Sequence, residues 1–281
     1  MNTLKTGLLL IALTLLLVFI GQLIAGVAGA VFAFFLALIM NLVSYWWSDK
    51  IVLRMYRAKE ILPQEDPRLH RIVENLAQAA GLPKPRIWLV PLNVPNAFAT
   101  GRNPKHASIA VTRGLLNTLS SQEIEGVLSH EVAHIKNRDI LISTIAATLA
   151  GAIMTIAYWA RWAVFLGTSD EEGGGSFIGL LAISILAPLA ALLIQLAISR
   201  TREYQADRRG ANLSGKPLYL ASALEKIEMW SRRRPLSGPS PSTAHLFIIN
   251  PFRGDWVARL FSTHPPTQER VRRLRAMAGL I

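Results

Sequence analysis

The chain has 281 residues, of which 51% are hydrophobic and only 17% charged, against a globular norm of about 25% charged. It carries a formal net charge of +12 and no cysteine. Disulfides, thiolate metal sites and cysteine-nucleophile chemistry are therefore excluded, and any bound metal must be held by His, Asp or Glu. The basic excess is not read as a nucleic-acid footprint. Much of it lies beyond residue 199, where it would face an anionic lipid leaflet.

From the N-terminus, Leu8 to Trp47 contains no Asp, Glu, Lys or Arg. A membrane-crossing helix needs about 20 apolar residues, so this block holds two spans, with the turn at Gly26 to Gly29. A cleaved signal peptide would be shorter and followed by a polar break. Ile140 to Ala160 and Ser176 to Ser199 are also free of charge and supply one span each, four in all. Lys5, then Lys50, Arg54, Arg57 and Lys59, then Lys136 and Arg138 flank the spans on one side, and Asp170, Glu171 and Glu172 lie on the other. Because basic residues stay on the cytoplasmic side, both termini and both long polar segments are expected in the cytoplasm. Tyr45, Trp46 and Trp47 then sit at the inner interface, and Tyr158, Trp159 and Trp162 at the outer one.

The first polar segment starts with Asp66-Pro67, a cap and first-turn proline. Leu69, Ile72, Val73, Leu76 and Ala80 give the helix an apolar face, and Gly81 ends it. Three β-rich runs follow, Arg86 to Val90, Asn96 to Thr100 and Ser108 to Thr112, separated by Pro91, Pro95, Gly101 and Pro104. They read as an antiparallel meander. Ser120 and Glu123 form a capping box that opens the next helix. Beyond the fourth span, Leu218 to Trp230 is helical by period, residues 231–243 read as a loop, and THPPTQERVRRLRAM closes the chain with a basic helix.

The helix that begins at Ser120 carries His130-Glu131-Val132-Ala133-His134. Residues four apart share a helix face, so both imidazoles can reach one Zn²⁺ ion while Glu131 stands beside it, able to take a proton from a zinc-bound water. A catalytic zinc takes three protein ligands and one open position. His70, His106, His245 and His264 are available for the third place, as are several carboxylates. Height above the membrane favours Glu203. His134 lies roughly 9 Å of helix before the third span, and Glu203 roughly 7 to 8 Å after the fourth. Asp207, one turn further on, could accept a hydrogen bond from a ligand histidine.

Taken together, NAFATG at 96–101, HEVAHIKNRD at 130–139, SRTREYQAD at 199–207 and STHPPTQER at 262–270, set among four apolar spans, resemble the HtpX-type membrane zinc metalloproteases. These belong to the peptidase family that also includes the CAAX prenyl proteases. The resemblance implies His130, His134 and Glu203 as zinc ligands, Glu131 as the catalytic carboxylate and a structural or ligand-supporting Asp207. It also implies cleavage of misfolded or damaged membrane proteins under stress, at a bacterial inner membrane, in cooperation with other quality-control proteases.

The expected architecture is a mainly α integral membrane protein with four transmembrane helices and a zincin-like cytoplasmic α+β protease domain containing a small antiparallel sheet. The divisions are 1–47 (two spans), 48–139 (first part of the protease domain), 140–198 (two spans and the acidic loop) and 199–281 (second part). His264 is the foremost oxyanion-stabilising candidate, with Tyr204 and Arg270 behind it; it could instead occupy the open zinc position. Asn96, Ala97, Phe98 and Ala99 are expected to form an edge strand to which an unfolded substrate adds by backbone pairing. The metal helix is expected to run on into the third span. A transporter or a non-catalytic metal scaffold is the contrasting class, but the spans hold no ionisable residue and no motif residue is missing.

Overall fold

A computed structural model of the chain describes residues 2–167, 199–233, 241–249 and 265–280. The expected fourth span, the acidic loop and His264 lie outside the described residues.

Helix α1, Asn2–Met55, is 54 residues long and folds back on itself. Gly26 has φ 61°, a left-handed conformation that glycine adopts without strain. Across this point Asn41 Nδ2 donates to Thr14 Oγ1 at 2.9 Å. On a straight helix these two residues would stand roughly 40 Å apart. The expected turn therefore reduces to a single glycine between two helical arms. Of the described helices, Gly26–Met55 is the one long and apolar enough to cross a membrane, and Thr6–Phe19 and Ile140–Met154 are shorter apolar stretches. Phe32, Phe35, Ile39 and Leu42 are each more than half exposed, a surface suited to hydrocarbon.

The polar part starts with β1 (Lys59–Glu60) and α2 (Pro67–Ala80), which Asp66 caps by accepting from Leu69 N–H and Gly81 closes in the left-handed conformation. The strands β2 (Arg86–Val90), β3 (Ala97–Gly101) and β4 (Ala107–Thr112) are not a meander. The sheet order is β1-β2-β4-β3, with β2 parallel to β4 and β3 antiparallel to it. The stretch 91–96, with two prolines that cannot donate to a ladder, carries the chain past one strand position. It is held there by Gly114 N–H on Leu92 O and Thr112 Oγ1 on Val94 O. β4 (ASIAVT), buried along its whole length, then fills the centre and leaves β3 at the edge.

After α3 (Arg113–Thr118), α4 (Ser121–Asn137) begins with the capping box, both reciprocal bonds formed between Ser120 and Glu123. Here a second expectation is corrected. The metal helix does not continue into the apolar one: Arg138 takes φ 57°, ψ 35° and terminates it, and α5 (Ile140–Gly167) starts anew. Leu9 and Leu13 of α1 pack against Ile142, Ile145, Leu149 and Ile153 of α5.

The remaining described helices are α6 (Arg200–Ser214), α7 (Pro217–Arg233) and α8 (Thr267–Met277). The start of the expected 231–243 loop is thus the last turn of α7, and Pro241–Leu246 is a 3₁₀ segment. The main core joins Val127, Leu128 and Val132 of α4 to Ile109 and Val111 of the sheet, Val73 of α2, Leu224 of α7 and Leu274 of α8.

Candidate metal and catalytic centre

The inner face of α6 reads Glu203, Ala206, Asp207, Gly210, Ala211, all buried, the i, i+3, i+4, i+7, i+8 spacing of one helix stripe. It lies on α4, and Gly210 is what allows the approach. A Cβ there would stand 2.8 Å from His130 N, closer than packed atoms tolerate. That contact brings Glu203 to the histidine pair.

His130 Nε2 and His134 Nε2 lie 3.0 Å apart. Glu203 Oε2 is 3.7 Å from the first and Oε1 3.6 Å from the second. A tetrahedral ion with bonds near 2.0–2.1 Å requires donor atoms roughly 3.3 Å apart. The Nε2 pair is slightly closer than that, the nearest Glu203 oxygen to each ring slightly further, and one atom from each residue lies within 4.8 Å of the others, a cluster that could hold a divalent cation. Among the described residues this is the one group of three or more His, Asp and Glu side chains so clustered.

Each imidazole has a carboxylate on its far side. His130 Nδ1 stands 2.9 Å from Asp207 Oδ1. Arg270 forks onto the same carboxylate at 2.7 and 2.8 Å and donates a third bond to Ile248 O. His134 Nδ1 lies 3.1 Å from Asp139 Oδ2. These contacts leave both Nε2 atoms facing the shared point, the orientation that metal-ligating histidines adopt.

Electrostatics divide the groups. Burial pushes the Asp207 carboxyl up, but Arg270 outweighs it and holds it at about 2. Burial also pushes Glu131 up, and the Glu203 carboxylate adds to this against the pull of His134, leaving it at about 7. Burial and the neighbouring His134 lower His130. His134 moves the other way: burial would lower it, but Asp139, Glu203 and Glu131 raise it.

Glu131 points to the sheet edge, where its Oε2 accepts the Ala99 N–H at 2.8 Å. Edge strand β3 pairs with β4 on one side, but its outer side is not open. Ala97, Phe98 and Ala99 are all buried. Asn96 is fully buried: its amide donates to Leu246 O at 3.1 Å and accepts from Ile248 N at 2.9 Å, pinning that segment beside the strand. A cavity of about 50 Å³ remains between Glu131, the two histidines, Glu203, Asp139, His245 and Phe247.

Of the other histidines, His70 bonds Ile61 O and His106 sits in the exposed β3–β4 turn. His245 lines the cavity but directs Nε2 to Ser143 O at 3.0 Å. Tyr204 lies under the Arg273 guanidinium, and Arg270 is committed to Asp207. Neither weaker oxyanion candidate faces the cavity, and His264 is outside the described residues. Sequence reasoning gave no role to Asp139 and missed the Arg270–Asp207 fork. The first stands five residues after His134, off its helix face, and meets it only because Arg138 breaks the helix. The second is one of several arginines in a basic helix, and periodicity alone does not say which faces inward.

Paired imidazoles, a third buried donor and an adjacent carboxyl tuned toward neutrality are the equipment of a metal-dependent hydrolase. The comparisons with known proteins give the family. Residues 63–278 match peptidase family M48. Over 275 residues the chain is 59% identical to the protease HtpX homolog of Pyrococcus furiosus, covering 98% of this chain and 95% of that one. The protease HtpX homolog of Desulforapulum autotrophicum is 57% identical, with 98% and 89% covered. The crystal structure of S. mikatae Ste24p shares the fold, with a TM-score of 0.50 at 22% identity over 85% of this chain and 57% of that one. The chain belongs to peptidase family M48 and is a membrane metalloprotease; membership implies a bound metal ion.

Proposed function

We propose that the protein is a zinc-dependent endopeptidase that cuts cytoplasmic segments of misfolded or damaged membrane proteins beside the bilayer. His130, His134 and Glu203 hold the metal, with Asp207 behind His130. A bound zinc ion supplies Lewis acidity to a water and to the scissile carbonyl. Glu131 removes the water's proton as it attacks the carbonyl carbon and returns that proton to the leaving amine. One carboxylate that takes up a proton and then releases it serves both steps. The outer edge of β3 aligns the substrate backbone once the segment pinned by Asn96 makes room. His264 remains the proposed oxyanion donor.

The membrane-adjacent part of the reading rests on Arg102, whose guanidinium lies 4.6 Å from the ring centre of Trp46. Trp46 belongs to the aromatic group Tyr45, Trp46 and Trp47 at the end of the charge-free part of the second arm of α1, where an interfacial belt is expected. Ala99 is three strand residues from Arg102, roughly 10 Å, so Glu131 acts close to the lipid surface. With this goes the proposed arrangement of four spans, 1–47 and 140–198. The protease parts, 48–139 and 199–281, face the cytoplasm of a bacterial inner membrane, and the proposed partners are lipids, unfolded substrates and other quality-control proteases.

The observation that carries the proposal is the convergence of three donors with Glu131 alongside. Casein cleavage by the full chain in detergent tests it. We expect turnover with zinc, its loss with chelator, and a loss of at least about 10³-fold in Glu131→Gln. Cleavage that survives both treatments would overturn the reading.

A further inference from the structure

We propose that Asp139 is a positioning residue for His134, spent on the metal site in place of capping α5. This rests on the metal-site reading above. Asp139 is 3% exposed and immediately precedes α5. Aspartate at such a position ordinarily accepts a backbone N–H from the first helical turn. Three other helices here are capped that way: Asp66 accepts from Leu69, Thr112 from Leu115 and Ser120 from Glu123. At α5 the backbone carbonyl of Asp139 receives Ser143 N–H, while the side chain turns back to His134 Nδ1. Its second oxygen, Oδ1, has no hydrogen-bond partner among the described residues.

The two histidine supports also differ in charge. Asp207 is neutralised by the Arg270 fork. Asp139, by contrast, makes its described side-chain contact with His134. His134 is also the more exposed of the two rings, 17% against 2% for the side chain, and packing fixes it less. The carboxylate holds Nδ1 as the protonated nitrogen and leaves Nε2 as the donor. Because Asp139 leads into α5, and Thr144 of α5 bonds Thr100 of β3 at 3.1 Å, the seat of the apolar helix sets the aim of a metal ligand.

The test measures zinc affinity by chelator competition, and the visible spectrum of the Co²⁺-loaded form, on the full chain in detergent. Asp139→Ser keeps a capping side chain but is too short to reach His134. We expect it to bind zinc about 10–100-fold more weakly with an altered cobalt spectrum, while the metal-free protein unfolds at or above the wild-type temperature. Asp139→Asn keeps an acceptor at the same reach without the charge, and should lose less, about fivefold, with a cobalt spectrum close to wild type. A serine variant that binds zinc within threefold of wild type with an unchanged spectrum overturns the proposal. If the serine variant does not fold, Asp139→Asn decides: weakened affinity supports the assignment and wild-type affinity overturns it. Failure of the wild type itself to bind zinc or cobalt would sink the metal reading instead.

Discussion

The metal helix α4 leads into two regions built on different physics. Toward α6, α7 and α8 an apolar core is supplemented by directional polar contacts: the Arg270–Asp207 fork behind His130, and Glu123, which receives Ser222, Lys226 and the Ser120 backbone at 2.6 to 2.8 Å. Beyond Arg138, α5 meets α1 through leucine, isoleucine and alanine, and the described polar bonds across the hairpin are those of Asn41 with Thr14 Oγ1 and Leu10 O. Directional contacts between buried groups fix position and are costly to break singly. Apolar burial holds elements together with little say in their exact register. The site should therefore be brittle on its polar side and tolerant on its apolar side.

The largest expected effect comes from breaking the fork. Arg270 and Asp207 are 1% and 3% exposed. Arg270→Met leaves a carboxylate buried without its partner, a loss of about 3–5 kcal/mol. Removing both charges with Arg270→Met and Asp207→Leu should recover most of it, because a buried pair and an apolar pair of similar size are often near equal in stability. Thermal unfolding in detergent is the measurement. A single variant within about 1 kcal/mol of wild type would mean that the polar side is no more brittle than the other.

A smaller effect belongs to Glu123. Burial pushes its carboxyl up, but Lys226, Ser222 and Ser120 outweigh this and bring it from 4.5 to about 2. A folded value below the unfolded one means stability that is present above about pH 4.5 and lost as pH falls through about 2. Lys226 is nearly half exposed, so solvent screens part of the gain. Glu123→Gln should then cost about 1–2 kcal/mol at pH 7. The gap between variant and wild type should close toward pH 2. A gap that stays constant across that range would show that the charge plays no part.

The same division explains what could be read from the sequence. Capping residues announced α2 and α4, since Asp66-Pro67 and Ser120 with Glu123 are local signals. The spacing of His130 and His134 anticipated the paired imidazoles, and Glu203 does lie beside them, but the height argument that favoured it assumed an unbroken helix past Arg138 and a fourth span outside the described residues. The sheet order was not legible, because three short strands with prolines between them serve a meander or a crossover equally well. Nothing local marked Arg138 as a helix terminator, since left-handed breaks are normally signalled by Gly or Asn, and so the role of Asp139 stayed hidden. In the hairpin, charge-free length gave two arms, but the lone turn at Gly26 and the pairing of Thr14 with Asn41 are properties of packing.

The smallest effect is expected where the apolar side carries its polar pair. Asn41 donates to Thr14 Oγ1 at 2.9 Å and to Leu10 O at 3.5 Å, while its own Oδ1 is buried without a partner among the described residues. Asn41→Leu gives up both donated bonds, to Thr14 Oγ1 and Leu10 O, and also removes an oxygen that has no partner among the described residues. Bonds of this kind between membrane helices are worth about 0.6 kcal/mol on average. The two changes oppose each other, and the variant should fall within about 1 kcal/mol of wild type by thermal unfolding, with zinc affinity unchanged. A loss comparable with that of Arg270→Met would erase the contrast between the two regions. It would mean that the hairpin is located by this one amide, and that its apolar length only allows the crossing.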